Sequence, residues 1–370
     1  MNWIWQRPGW PDFAWSQAEL EPLEARFRDD AGRRIGSWHR LGEDEQVELR
    51  IAWLSDEAAE TSAIEGELLD RDSVQSSIRR QFGLAHDQRP ASPAEAGVAE
   101  MMVSVYREFY RPLDHRTLWD WHRMLMRERR RLNVIGGYRR HAEPMQVVSG
   151  PDYRPTVHYV APPSGRMTME MDRFIAWYEE ASAGGDRLAP LTCAGVAHLH
   201  FVFIHPFEDG NGRIGRALAE KALARALGQP SLIALARTIF RSRRAYYDAL
   251  KAANGSLDIT EWLVWFAGIV LDAQTWSERR LIRTMEQTRM FDRLRGRLNP
   301  RQEKALSRLF RAEPDGFEGG LSADNYRRIT GAAASTATRD LADLVSKGAL
   351  RRKGARRYTR YWLDLPPFGE

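Results

Sequence analysis

The chain has 370 residues, of which 43% are hydrophobic and 28% charged, and its formal net charge is +5. This composition is typical of a globular protein and excludes a disordered tail and a collagen-like chain. No apolar run reaches the roughly 18 residues of a membrane helix, so we expect no membrane partner. The single cysteine, Cys193, excludes an internal disulfide and a multi-cysteine zinc site. With no signal-like N-terminus, we expect a cytoplasmic protein.

The sequence predicts an N-terminal helical region over residues 1–93. It opens with tryptophans among prolines, which predict an aromatic cap packed against a larger body: Trp3, Trp5, Trp10 and Trp15. From Asp44 to about Phe82 apolar residues recur at helical spacing, which predicts an amphipathic helical stretch. A polar, proline-bearing break at residues 85–93 predicts the boundary with the next region.

Residues 94–280 carry most of the predicted core, as a series of helical patterns. The pattern changes only between residues 134 and 163. There, the sequence predicts a hairpin whose strands are residues 145–148 and 156–160 and whose turn is residues 149–152. Because this is the only clear β signal in the region, the predicted fold class is mainly α.

The sequence predicts a basic linker helix over residues 281–298 and a small module over residues 299–370. This module has three helices, the second at 323–330, followed by a hairpin with strands at 350–353 and 356–363. This order is the plan of a winged helix-turn-helix. From Leu344 to Leu363 there is no acidic residue, while basic and aromatic residues alternate. On such a module this pattern favours a wing that grips DNA. Protein contacts, or an ordinary solvated hairpin, are equally compatible with it.

One segment, from His205 to Arg216, carries the residues most relevant to chemistry. It reads His-Pro-Phe-Glu-Asp-Gly-Asn-Gly-Arg-Ile-Gly-Arg. An apolar helical pattern ends at His205, because Pro206 disfavours helix at the residue before it. A glycine-rich loop follows and leads into a second helix, and such a helix N-terminus binds anions through its unpaired N–H groups. Gly210 and Gly212 would let the backbone approach a phosphate closely.

Side chains around this loop predict how a nucleotide would be held. Arg213 and Arg216 are three residues apart, so they share a helix face and can bind two phosphates. Asp209 could hold a magnesium ion that bridges phosphate oxygens. His205 is placed to accept a proton from an incoming hydroxyl. Any one of these residues is explained more simply by a helix–loop–helix corner, but their convergence favours nucleotide-dependent transfer to a hydroxyl.

The pattern His-Pro-Phe-x-Asp-Gly-Asn-Gly-Arg-x-x-Arg resembles the signature of the Fic family and matches it at all nine fixed positions. The resemblance implies a Fic-type helical core with one β-hairpin flap, and transfer of AMP from ATP to a protein hydroxyl with Mg²⁺. It implies that His205 is the base, that Asp209 is the magnesium ligand and that Arg216 binds the γ-phosphate. It assigns the triphosphate cradle to Gly210, Asn211, Gly212 and Arg213.

More of the chain fits this resemblance. The predicted hairpin is similar to the family's flap, where a target segment can dock by β-addition. We predict that its second strand contributes to the nucleotide site through Val157, His158, Tyr159 and Val160. Tyr246 and Asn254, eight residues apart, resemble the wall on the adenine side. The alternative, that tyrosines on an amphipathic helix belong to the core, remains open.

Residues 61–66, Thr-Ser-Ala-Ile-Glu-Gly, resemble the inhibitory pattern of the family, in which Ser or Thr is followed after three residues by Glu-Gly. The resemblance implies that Glu65 forms a salt bridge with Arg216 and so removes the partner of the γ-phosphate. A misplaced triphosphate would slow the reaction, since a shift of about 1 Å can cost on the order of a hundredfold. The alternative is a solvated carboxylate at a helix end.

The favoured function is therefore an autoinhibited protein adenylyltransferase that acts on a Ser, Thr or Tyr hydroxyl of a protein partner. Two alternatives stand beside it. One is a DNA-binding regulator in which the Fic core senses a nucleotide, and the other is an enzyme that removes AMP. The sequence leaves open the target, the signal that releases Glu65 and whether the chain forms a homodimer.

Overall fold

Helices dominate the computed structural model, which describes residues 3–84, 89–129, 131–149, 155–183, 188–312, 315–317 and 319–366. The mainly α class predicted from the sequence is confirmed, and the strands in the described residues form two short hairpins. The chain divides into two compact units. The first is Met1–Arg33 with Asp44–Gln274, and the second is Arg34–Glu43 with Thr275–Glu370.

The first unit holds eleven of the described helices in whole or in part, and three of these, α1, α2 and α11, also include residues of the second. Their bounds are α1 Gln17–Trp38, α2 Glu43–Ile64, α3 Arg71–Gln81, α4 Pro93–Glu108, α5 His115–Leu125, α6 Met167–Ser182, α7 Pro190–Ile204, α8 Asn211–Leu227, α9 Leu235–Arg241, α10 Arg243–Ala253 and α11 Thr260–Arg293. No helix in the described part of the chain is long and apolar enough to cross a membrane.

Helices α7 and α8 form the centre of the first unit. Helix α7 is apolar on all sides and almost wholly buried, which is the pattern of a helix surrounded by others. Helix α8 packs along it, and the residues between them, 205–210, make the corner that carries the chemical motif. The position of the corner is thus fixed by two core helices that pack extensively against each other.

A hairpin lies beside this corner. Strands β1, Gln146–Ser149, and β2, Thr156–Val160, pair antiparallel with a register shift between Val147 and Val148. The predicted turn at 149–152 lies mostly outside the described residues. The N-terminal tryptophans pack on the core as predicted. Trp5 Nε1 donates to the Val160 carbonyl at 2.7 Å, so the N-terminal segment also holds strand β2.

The second unit has its own core. It contains α12 Pro300–Phe310, α13 Ala323–Thr330, α14 Ala334–Ser346, β3 Leu350–Lys353 and β4 Arg360–Leu363. Strands β3 and β4 are antiparallel, and Leu321 bridges to Tyr361 on β4.

Three details differ from the sequence predictions. Helix α9 was not predicted. Helix α11 runs unbroken through Thr260–Arg293, where we expected one helix to end and a linker at 281–298 to begin; no proline interrupts this stretch. Strand β4 begins at Arg360 rather than at residue 356, because Arg356–Tyr358 form a 3₁₀ turn.

Candidate active site

His205 occupies a strained position at the end of α7. Its backbone is left-handed, with φ of 52° and ψ of 57°, a conformation that costs free energy in a residue other than glycine. Buried Arg139 fixes the turn, since its Nε donates to the His205 carbonyl at 2.8 Å and its backbone N–H donates to the Pro206 carbonyl at 2.9 Å. The chain therefore leaves α7 in one defined direction.

The ring of His205 has one defined tautomer. Its Nδ1 lies 3.2 Å from the carbonyl oxygen of Val202, which can only accept a hydrogen bond, so Nδ1 carries the proton. Nε2 is then left with a lone pair. Burial lowers the pKa of His205 to about 4, against the opposing effect of the Val202 carbonyl. At neutral pH the imidazole is uncharged and able to accept a proton at Nε2.

The loop after His205 is shaped by its own polar groups. The side chain of Asn211 accepts from the N–H of Phe207 at 3.0 Å and donates to the carbonyl of Phe207 at 2.8 Å. Gly210 has φ of 82°, which favours glycine, and its N–H donates to Asp209 Oδ1 at 2.6 Å. The side chain of Asn211 thus closes the loop, which differs from the phosphate contact that we expected of it.

Glu65 lies over the first turn of α8. Its Oε1 occupies the space that a β-carbon on Gly212 would need, so only glycine admits the carboxylate there. The same oxygen accepts from Arg216 Nη2 at 2.8 Å. Arg216 is almost completely buried, and Thr61 accepts from it twice, through Oγ1 and through its carbonyl oxygen, both at 2.8 Å. The ion pair between Glu65 and Arg216 that the resemblance implied is present.

The end of α2 explains how Glu65 reaches this place. Helix α2 ends at Ile64, and Gly66 takes a φ of 87° that turns the chain away. The hydroxyl of Tyr247 donates to the Ile64 carbonyl at 3.2 Å and to Glu65 Oε2 at 3.4 Å. Burial acts to raise the pKa of Glu65, but Arg216 outweighs it, and the pKa is lowered. The carboxylate is therefore ionised at neutral pH.

A second carboxylate, that of Glu67, binds the other arginine of the motif, Arg213. Glu67 was not predicted as a site residue. Glu67 Oε2 accepts from Arg213 Nη1 at 2.8 Å, and Glu67 Oε1 accepts from Arg129 Nη2 at 2.9 Å. Arg213 is buried, with 4% of its side chain exposed, and its Nη2 lies 3.7 Å from Asp209 Oδ1. The available signal was the spacing, since Glu67 follows Glu65 by two residues.

Asp209 is a solvent-accessible carboxylate of the loop, with 42% of its side chain exposed. No group of three or more potential metal ligands occurs among the described residues. Mg²⁺ is commonly held by one or two carboxylates together with substrate phosphates, so a single hard oxygen ligand at this loop fits a magnesium ion that arrives with a nucleotide.

The predicted flap residues divide into two groups. Val157 and His158 are exposed on β2. Tyr159 is buried, and its hydroxyl donates to the Phe203 carbonyl at 2.6 Å, so it anchors the flap to the end of α7. Val160 accepts from Trp5. The contribution of the exposed pair to a nucleotide site stays a prediction, whereas Tyr159 has a structural position.

The residues predicted for the adenine wall are engaged within the fold. Tyr246 is buried and its hydroxyl lies 3.0 Å from His198 Nε2, which agrees with the core alternative. Asn254 Oδ1 accepts from the N–H of Ile4 at 3.0 Å. Tyr247, which is 40% exposed and contacts Glu65, is the member of this helix that faces the site.

Two further buried residues support the corner, and no local signal in the sequence marks them. Arg139 donates to Ser164 Oγ at 2.8 Å and to the carbonyl of Pro162, besides its bonds to the corner. The ring of His122 stacks on Phe207 at a centroid distance of 4.2 Å, and burial lowers its pKa to about 4. Both depend on contacts between residues that are distant in the chain.

Comparisons with known proteins agree with this geometry. Residues 112–223 match the model of the Fic/DOC family, and residues 3–84 match a model described as a domain of unknown function (DUF4172). Similar proteins include "Protein adenylyltransferase Fic" of Culex quinquefasciatus, 34% identical over 148 residues, which are 38% of this chain and 27% of that protein. Its counterpart in Drosophila virilis is 31% identical over 197 residues, 50% of this chain and 38% of that protein. The match thus spans well under half of each relative.

Solved structures show the same fold. A Fic family protein from Desulfovibrio desulfuricans G20 has a TM-score of 0.53 and 22% identity, and the match covers 92% of this chain and 96% of the other. A Fic domain containing signaling protein from Bacteroides thetaiotaomicron VPI-5482 has a TM-score of 0.52 and 19% identity, with 68% and 97% covered. Residues 112–223, which carry the complete motif on the α7–α8 corner, therefore match the Fic/DOC family model, and the solved structures share their fold.

Proposed function

We propose that this chain is a protein adenylyltransferase that transfers AMP from ATP to a Ser, Thr or Tyr hydroxyl of a protein. The observation that carries the proposal is the neutral imidazole of His205 beside the N-terminus of α8, where the carboxylate of Glu65 already occupies an anion position. The similarity to relatives named as adenylyltransferases supports it.

The triphosphate of ATP would replace the carboxylates at this corner. The N–H groups at the start of α8 and the small residues Gly210 and Gly212 suit close approach of phosphate. Arg213 and Arg216 would bind phosphate oxygens with charge-assisted hydrogen bonds. Asp209 would hold Mg²⁺, which when bound neutralises charge on the leaving phosphates.

The transfer step follows from the tautomer of His205. The target hydroxyl oxygen forms a bond to the α-phosphorus, and its proton moves to Nε2 of His205. The bond between the α-phosphorus and its bridging oxygen to the β-phosphate breaks, and pyrophosphate leaves. The negative charge of bound ATP raises the pKa of His205, which makes the ring a stronger base when substrate is present.

The flap would present the target. An extended target segment can add to strand β2 through main-chain hydrogen bonds, which position a hydroxyl with little dependence on sequence. The exposed side chains Val157 and His158 lie on this strand. Tyr159 and Trp5 keep the strand in place from the core side.

The resting chain would be inhibited. Arg216 is the proposed partner of the γ-phosphate, and Glu65 occupies it through the hydrogen bond at 2.8 Å. ATP would then bind with its α-phosphate out of line for attack, or would have to displace Glu65. Removing Glu65 should therefore raise the transfer rate.

Intact-mass spectrometry of the purified chain with ATP and Mg²⁺ tests the proposal. We expect little modification of the wild type and the gain of at least one AMP unit by Glu65→Gly. The control Glu65→Gly/His205→Ala should bind ATP yet gain no AMP. No AMP on Glu65→Gly, and none on a mixture of candidate target proteins, would contradict the proposed activity.

A second function, DNA binding by the second unit, is favoured by a specific observation. The predicted winged helix-turn-helix has its basic residues at the surface, with Arg351, Arg352 and Lys353 exposed on β3. Thr338 and Arg339 are exposed on α14, the helix that would enter the major groove. We propose this activity as an addition to the enzyme, or as its alternative if no transfer is found.

Salt-dependent binding of a short DNA duplex to the full chain tests this second proposal. Replacing Arg351, Arg352 and Lys353 with Gln should weaken binding and reduce the salt slope by about three, one for each lost phosphate contact. The matched control removes three exposed charges from the first unit, in Arg111→Gln, Arg116→Gln and Arg244→Gln. Equal losses in the two variants would contradict DNA binding by the wing.

A further inference from the structure

The carboxylate of Glu67 holds two arginines at once. Its two oxygens accept separately, one from Arg213 at 2.8 Å and the other from Arg129 at 2.9 Å. Arg213 belongs to the motif at the start of α8, whereas Arg129 follows α5 and belongs to no motif in the sequence. Two guanidinium groups that donate hydrogen bonds to one anionic group form the same arrangement as arginines that bind a phosphate.

Arg129 differs from its neighbour Arg127 in what neutralises it. Arg127 pairs with Glu100, away from the motif. Glu67 is the one acidic partner of Arg129 in the part of the chain that the structure describes. If the Glu67 carboxylate moves away, Arg129 and Arg213 both face the space that it occupied, and Arg129 then has no acidic partner among the described residues. Arg129 is 47% exposed and can follow an incoming ligand, while Arg213 is buried and fixed.

We propose that Arg129 is a third triphosphate-binding arginine of the site and that Glu67 occupies the phosphate position between Arg129 and Arg213. The inference rests on the proposed function, because it takes ATP as the ligand. Binding of ATP then requires two carboxylates to leave, Glu65 from Arg216 and Glu67 from Arg213 and Arg129. A ligand with only an α-phosphate has no group that reaches this position.

Calorimetric titration of ATP and AMP into the full chain tests the role of Arg129. Glu67→Gln should bind ATP about tenfold more tightly than the wild type, because the competing charge is gone. In that background, Arg129→Gln should weaken ATP binding about tenfold and leave AMP binding unchanged. Arg127→Gln, the matched control two residues upstream, should change neither.

The outcomes separate this inference from the proposed function. If Glu67→Gln/Arg129→Gln binds ATP as tightly as Glu67→Gln, Arg129 serves only as a partner for Glu67 and the inference is overturned. Equal loss of ATP and AMP affinity on Arg129→Gln also overturns it, since it would indicate a general disturbance. If no variant binds ATP, Glu65→Gly included, the proposed function itself is overturned.

Discussion

The carboxylate of Glu65 and the backbone of Gly212 occupy adjoining space so closely that no side chain fits between them. Glu65 therefore does more than neutralise Arg216. It lies against the first turn of α8, where the N–H groups and the helix dipole favour negative charge. The position of the Glu65 carboxylate and the position proposed for a phosphate are the same.

Gly212→Ala should therefore remove ATP binding even when the inhibitory carboxylate is absent. In a Glu65→Gly background, we expect the added methyl group to raise the Kd of ATP at least about tenfold, by calorimetry. The matched control is Gly268→Ala, a glycine on α11 with open space around it. An unchanged Kd in the Gly212 variant would place the phosphate elsewhere.

Thr61 should matter because it holds Arg216 in the inhibited position. Thr61→Val removes the oxygen that accepts from Arg216 Nε at 2.8 Å and leaves a buried donor unsatisfied. We expect a loss of about 1–3 kcal/mol in the free energy of unfolding, by urea titration. AMP incorporation should lie between that of wild type and Glu65→Gly. Thr61→Ser keeps the hydroxyl and should behave like the wild type in both measurements.

The ring of His205 should stay neutral well below the usual histidine range. Its pKa is lowered to about 4 by burial, whereas a free histidine titrates near 6.5. In the chain without nucleotide, we expect its NMR signals to show a neutral ring at about pH 5.5. His205→Asn identifies the signals, since asparagine tolerates the left-handed backbone. Titration near 6.5 would show a ring in contact with solvent and contradict the burial that lowers its pKa.

Two buried carboxyl groups on α2 and α8 should make the free energy of unfolding fall as the pH rises from about 5 to about 7. Glu57 and Glu220 are hydrogen-bonded to each other, and burial raises the pKa of Glu220 to about 7 and that of Glu57 well above its ordinary value. Because the folded state holds these protons more tightly than the unfolded state, their contribution is present at low pH and is lost as the pH rises through about 7.

Glu220→Gln keeps the shape and removes one of these charges. We expect the wild type to lose up to about 1.4 kcal/mol per pH unit between pH 5 and 7 relative to this variant, in urea unfolding. Glu180→Gln, on α6, is the control for a carboxylate outside this pair. Parallel stability curves for wild type and Glu220→Gln would show that the pair is not buried as described.

Local signals in the sequence account for most helix boundaries. Pro206 marks the end of α7, and α13 has the predicted bounds because Ser322 caps its first turn and Gly331 ends it with a positive φ. The chemical corner was predictable for the same reason, since its residues are contiguous and Gly210 has the positive φ that its turn requires.

Contacts between distant residues could not be predicted in this way. Glu67 meets Arg213 across 146 positions of the chain, and Arg139 reaches His205 across 66. Nothing in the local sequence around Arg139 indicates its partner, and around Glu67 the one hint is its position two residues after Glu65. The assignment of Tyr246 and Asn254 to the adenine wall stays a prediction, and their pairing with His198 and Ile4 is likewise a contact between distant residues that the sequence does not reveal.

Glu65 and Glu67 lie on the same short turn after α2, with Gly66 between them. The two carboxylates therefore do not move independently of each other. A displacement of this one turn by a few ångströms would remove the carboxylate partners of Arg213 and Arg216 together. Activation should therefore be a single transition rather than two separate steps. A ligand that binds residues 3–84 away from the motif could therefore regulate the proposed transferase without occupying the proposed nucleotide site.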